Sequence, residues 1–250
     1  MNIWGKIIGS TTGFAFGGPI GALLGGAAGH AIDKIQRQKK KPEELAIKQI
    51  GFTIGVIVLS AKMAKADGKV TKQEILAFKK KIDVPDAEIK NVAFLWDQAK
   101  KSTHGYEVYA QQISNLLEKK SPVLEELLNL LVMIAEADGE ITDPEIIYLK
   151  QVSEIFGFSN DDFERIISYK IKGLSNPYKI LGVSEKTPIH EVKRKWKMLA
   201  TKHHPDLLIS QGMPEELIKQ NTQTLKEINN AWDIIQKKVK IVKCQNHLLL

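Results

Sequence analysis

The chain has 250 residues, 43% of them hydrophobic and 26% charged, enough for one or two compact domains with cores of their own. Its formal charge of +7 invites a nucleic-acid reading, but the basic residues are scattered over Arg37 to Lys41, Lys79 to Lys81, Lys193 to Lys202 and Lys237 to Lys243, and no nucleic-acid motif organises them. Cys244 is the single cysteine, which excludes an internal disulfide and agrees with a reducing compartment for the folded part.

From Ile7 to Gly29 no residue is charged, and 23 helical residues would reach about 34 Å, slightly more than a bilayer core. This predicts a single spanning helix. Glycines at 5, 9, 13, 17, 21, 25 and 29 would line one face with bare backbone, a spacing that lets two membrane helices approach closely and predicts a homodimer. Only Lys6 precedes the apolar run, whereas Lys34, Arg37, Lys39, Lys40 and Lys41 follow it. Positive charge stays inside, which puts a short N-terminus outside and everything after Asp33 in the cytoplasm. Two other readings compete. Pro19 and the scarcity of Ile, Leu and Phe suit a surface-lying tail, and the small residues near Gly29 suit a cleaved signal peptide, whose charges would belong on the other flank.

Between Pro42 and Lys172 the pattern is helical, and one phrase occurs twice. Lys65-Ala-Asp-Gly-Lys-Val-Thr-Lys-Gln-Glu74 returns 71 residues later as Glu136-Ala-Asp-Gly-Glu-Ile-Thr-Asp-Pro-Glu145. In each copy a glycine, Gly68 or Gly139, ends one helix. Thr71 or Thr142 then caps the next, with Glu74 or Glu145 three residues on and Val70 or Ile141 placed to staple the turn. Metal binding through Asp67, Glu74, Asp138 and Glu145 is the alternative, but neither copy supplies the further oxygen ligands of a calcium loop. The expected product is a pseudo-repeated bundle with Leu95, Trp96, Leu116, Leu127, Leu131, Ile134, Leu149 and Phe156 in its core.

Near the C-terminal end, Thr187 is placed to cap a helix opening at Pro188 with Glu191 in its first turn. Ile189, Val192, Trp196, Leu199, Ala200 and His203 share one sector of that helix, and Lys193, Arg194 and Lys197 project from the other side. Pro205 holds His204 extended and ends the helix at His203 or His204, leaving an imidazole and a carboxylate, Asp206, on a turn. After Leu207 to Met213, Pro214 with Glu215 and Glu216 starts a second helix carrying Leu217, Leu225, Ile228, Ala231, Trp232 and Ile235. Trp196 and Trp232 read as core between the two helices. His204 and Asp206 have no nucleophile, phosphate loop or metal cluster beside them, so no catalytic residue, cofactor or metal is expected.

Asn176-Pro-Tyr-Lys-Ile-Leu-Gly-Val183 and the elements after it resemble the J domain of DnaJ-type co-chaperones in order and spacing. That resemblance implies that His204, Pro205 and Asp206 signal to a DnaK-type ATPase chaperone, with Lys193, Arg194, Lys197 and Lys202 as docking charges. Met198, where a basic residue is common, and Leu207, where lysine commonly follows the tripeptide, depart from the pattern. The paired Ala-Asp-Gly phrases make the middle region resemble the TerB-like domain of tellurite-resistance proteins. Together with the opening Trp4-Gly-Lys-Ile-Ile-Gly9, the whole order resembles the DjlA type of membrane-anchored bacterial co-chaperone. It implies an all-α protein with a glycine-rich transmembrane anchor at 1–33, a basic linker at 34–42, a TerB-like domain at 43–172, a J domain at 173–240 and a tail at 241–250. It also implies an inner-membrane site and no enzymatic activity or nucleic-acid partner. The rival is a scaffold or stress sensor acting through the TerB-like region, with a secondary J domain. The link before the J domain, Lys172 to Asn176, predicts that it sits close to the bundle.

Overall fold

The computed structural model describes residues 3, 18–25, 41–66, 78–79, 82–102, 105–136, 141–168 and 176–247, and no strand occurs among them. The all-α expectation is borne out. The helices are α1 (Gly18–Gly25), α2 (Lys41–Ala66), α3 (Ile89–Lys101), α4 (Tyr106–Leu117), α5 (Pro122–Ala135), α6 (Asp143–Ile155), α7 (Asn160–Ser168), α8 (Pro177–Ile180), α9 (Ile189–Lys202), α10 (Pro205–Ser210) and α11 (Glu215–His247).

The first unit is built around α2. Phe52, Ile54, Val56, Ile57, Val58 and Leu59 are all fully buried, so this helix is apolar on every side and must be surrounded. Helices α3, α4, α5 and α6 pack against it. Its stretch Glu44–Ala64 is long and apolar enough to cross a membrane, but the protein's own helices cover it, and it serves as the bundle's central rod. Gly55 sits where α2 meets α4 and α5: a Cβ there would stand 2.9 Å from Leu127 Cδ1 and 3.1 Å from Ile113 Cδ1. The expected core residues Leu95, Trp96, Leu127, Leu131, Ile134, Leu149 and Phe156 are buried, and Leu116 is partly buried against them.

Helix starts follow local chemistry. Ser121 Oγ accepts from Leu124 N–H ahead of Pro122 at the first position of α5. At α6 the expected capping box is present: Thr142 N–H donates to Glu145 Oε2 at 2.8 Å, and Glu145 N–H donates back to Thr142 Oγ1. Glu145 is thereby engaged as a cap. Its proposed metal-binding companions Asp67, Glu74 and Asp138, and the first copy of the repeated phrase after Ala66, lie outside the described residues.

Of the expected spanning segment 7–29, only Gly18–Gly25 is described. Gly18 has φ of +56° and Pro19 stands in the first turn of α1, where a missing N–H costs nothing. Ile20 N–H, one of the donors left open at a helix start, is satisfied by Gln112 Oε1 at 2.9 Å, and Ile20 is buried where α1 rests on α3 and α4.

The second unit has its own small core of Tyr178, Ile180, Leu181, Val192, Leu199, Ile228, Ala231, Trp232 and Ile235. Trp196 stacks on Trp232, ring centroids 5.2 Å apart and planes 12° from parallel, and donates from Nε1 to Asn229 Oδ1 at 2.9 Å. Trp232 is thus the core residue expected, whereas Trp196 is only partly buried and packs against the core from its edge. Three local expectations change. Thr187 does not cap α9: its Oγ1 accepts from Ser184 N–H at 3.1 Å, tying the preceding turn, and the helix opens after Pro188 without a side-chain cap. The segment after Pro205, expected as loop, forms α10, because Pro205 is preset for a first helical turn. Finally, α11 runs to His247, through the segment set apart as a tail.

Candidate functional site

His203 and His204 join the end of α9 to the start of α10. His204 is extended (φ −69°, ψ 133°), as a residue before proline must be, and serves as N-cap of α10: its Nδ1 accepts from Asp206 N–H at 3.3 Å. Nδ1 is 3.6 Å from Asp206 Oδ2, and the two side chains keep 55% and 89% of their surface exposed.

The three expected charges Lys193, Arg194 and Lys197 are exposed, and their spacing puts them on one side of α9. Met198, at 51% exposure, interrupts this basic face with an apolar side chain. Lys202 is different. It is turned from that face toward the bundle, where Nζ donates to Glu125 Oε2 at 2.8 Å.

Lys202 belongs to a buried polar cluster that sequence reasoning did not find. Glu125 and Glu126, adjacent on α5, are fully buried. Glu125 Oε1 lies 2.8 Å from Arg165 Nη2 on α7 and 3.2 Å from His203 Nε2. Glu126 Oε1 lies 2.5 Å from His203 Nδ1, while its Oε2 accepts from Asn129 Nδ2 at 3.1 Å and Thr224 Oγ1 at 3.2 Å. Burial pushes the Glu125 carboxyl up, but Arg165, His203 and Lys202 outweigh it and hold it well below the ordinary value. Burial also pushes the His203 imidazole down, yet the Glu126 and Glu125 carboxylates bring it to about 9, so it is a cation at neutral pH. His203, read from the sequence as part of the small core's apolar face, is instead the ionic joint between the two units. The available signal was the pair Glu125-Glu126 inside an otherwise apolar helix, which demands buried cations from somewhere else.

Apolar contacts reinforce the joint. Leu208, Met213 and Leu217 belong to the bundle's core and not to the small core. Gly212 (φ +112°) lies against α2, where a Cβ would stand 2.5 Å from Lys48 Cβ. Gly182 (φ +63°) lies against Arg165, whose Cδ would be 3.2 Å from an added Cβ. The close seating expected from the short link is thus present, and it leaves the basic face of α9 and the His204-Pro205-Asp206 turn uncovered.

Three family models match in order along the chain: the co-chaperone DjlA transmembrane domain over residues 1–42, the tellurite resistance protein TerB over 53–168, and the DnaJ domain over 176–243. The chain belongs to the DjlA-type, membrane-anchored J-domain proteins. Similar DjlA proteins include "Co-chaperone protein DjlA" of Coxiella burnetii, 25% identical over 180 residues that cover 66% of either chain. The DjlA of Photobacterium profundum is 26% identical over 179 residues, covering 65% of this chain and 64% of that one. That of Vibrio cholerae is 27% identical over 178 residues, covering 66% and 62%. The chain therefore spans about two thirds or less of these DjlA relatives' own length. No solved structure gives a significant match. In DjlA-type terms, the buried cluster joins the TerB domain, through α5 and α7, to the J domain, through α9 and α11.

Proposed function

We propose that this protein is a co-chaperone whose J domain recruits a DnaK-type chaperone and stimulates that partner's ATPase. The observation that carries the reading is the exposed His204-Pro205-Asp206 turn beside the uncovered Lys193, Arg194 and Lys197, on a J domain whose opposite side is buried against the TerB domain. The hydrolytic chemistry belongs to the partner. This chain supplies a shaped signal and a cationic face that speeds encounter with an acidic surface. The resemblance further supports an inner-membrane protein with its bulk in the cytoplasm and pairing through the glycine-lined anchor; a short N-terminus outside rests on the charge bias alone, against the seating of Ile3 and Ile20 on the bundle and α11. Domain limits of 1–33, 34–42, 43–172, 173–240 and 241–250 remain the proposed division.

The test is ATP turnover by a DnaK-type chaperone titrated with the full-length chain in detergent micelles. The wild type accelerates turnover and His204→Gln does not. Equal stimulation by the variant would sink the reading.

A further inference from the structure

The tripeptide is exposed, but the residues on both sides of it are not. On one side His203 is 2% exposed and held between Glu125 and Glu126. On the other, Leu208 is 2% exposed and belongs to the bundle's core, followed by Met213 and Leu217. Only residues 204–207 lie between these two attachments, so the placement of the signal is set by the TerB domain as much as by the J domain that carries it.

Within the joint, Glu126 is the best-placed residue to control the signal. It is fully buried, its two oxygens receive three donors from three elements, and one of these is the imidazole immediately before His204. Such a cluster is weak evidence for stability, because apolar residues of similar volume often hold two surfaces together equally well. Its distinguishing property is directional: hydrogen bonds to a carboxylate fix one orientation of the imidazole, and with it the backbone at 203, whereas apolar contact tolerates sliding.

We propose that Glu126 is a positioning residue for the His204-Pro205-Asp206 signal, acting through His203 across the interface between the TerB and J domains. The proposal rests on reading that tripeptide as the stimulus to a DnaK-type ATPase. Glu126 never meets the partner. It holds the turn in the one placement that the partner's ATPase requires, and an ångström of misplacement is enough to lose the effect. The TerB domain thereby acquires a role in the J domain's output.

The test uses the full-length chain in micelles with a DnaK-type chaperone, comparing wild type, Glu126→Gln, His203→Gln, the double variant and His204→Gln. Each of the two single joint variants lowers maximal stimulation about tenfold while the half-maximal concentration stays within about threefold, because Lys193, Arg194 and Lys197 still dock. The double variant puts a neutral amide pair where His203→Gln alone leaves the Glu126 carboxylate without its cation, and recovers to within about threefold of wild type. Loss of folded protein gives the opposite split, raising the half-maximal concentration and leaving the maximum intact. Either that split, or a wild-type maximum in both single variants, overturns the proposal. Hydrogen exchange gives a readout independent of the partner: the Leu208 amide, bonded to His204 O at 3.1 Å, exchanges about tenfold faster in Glu126→Gln. Unchanged exchange there overturns the positioning role. If Glu126→Gln does not fold, His203→Gln decides by the same two measurements. If His204→Gln stimulates like wild type, the reading of the tripeptide falls, and the exchange experiment still judges the placement.

Discussion

Lys202 Nζ donates to Glu125 Oε2 at 2.8 Å across 77 residues of sequence, which takes this lysine out of the basic face formed by Lys193, Arg194 and Lys197. Two kinds of cation on one helix should therefore behave differently. Neutralising Lys193, Arg194 and Lys197 together slows association with a DnaK-type chaperone and flattens its dependence on salt, since exposed charges mainly steer encounter. Lys202→Ala leaves the salt dependence in place and lowers the stability of the TerB–J interface instead. Surface-based association rates at two ionic strengths, together with thermal unfolding, separate the cases. A Lys202→Ala protein whose salt dependence falls as the triple variant's does would contradict the assignment.

The joint should be sensitive to alkali. His203 is raised from 6.5 to about 9, so its contribution is complete below about 6.5 and is lost as pH rises through about 9. Glu125 is lowered, so its contribution is present above its ordinary value of 4.5 and fades only as pH falls through its lower folded value. The groups facing the imidazole are Glu125 and Glu126 from α5, with Arg165 from α7 and Lys202 beside it contributing through Glu125. The His203 term amounts to about 3 kcal/mol at most. Denaturation of wild type and His203→Gln should show a stability gap that narrows between pH 6.5 and 9. A gap independent of pH over that range would mean that the imidazole is not held as a cation.

Gly212 has φ of +112° and faces Lys48 Cβ at 2.5 Å from where its own Cβ would be. Gly212→Ala combines a disfavoured backbone with a steric clash on α2, and should cost about 1–3 kcal/mol. Denaturant midpoints would show it, and an unchanged midpoint would mean that the turn is not seated on α2.

The anchor makes a physical prediction of its own. An apolar stretch of the length of residues 7–29 leaves a bilayer only at a large cost in exposed hydrocarbon. Full-length protein should stay with the membrane pellet after extraction at alkaline pH. Recovery in the supernatant would favour attachment at the surface.

Much of the local design was legible in the residues. The Thr142–Glu145 box, the stop before Pro205, the Trp196–Trp232 pair and the helical fold each follow from interactions within a few residues or from strong periodicity. Local reasoning erred where two hydrogen-bonding options competed: Thr187 had a nearby N–H at Ser184, and bonding it replaced the expected helix cap.

The sequence by itself determined that this is a helical chain with an uncharged, glycine-rich N-terminal segment, a bundle and an exposed His204-Pro205-Asp206 turn, because proline, caps and hydrophobic period act locally. Tertiary structure alone decided what holds that turn. Glu125-Glu126 and Lys202-His203 are 77 residues apart, and each pair reads as ordinary charge until folding brings them together in a place without water. There an unpaired charge is costly enough that the two domains must meet at that point and in that orientation.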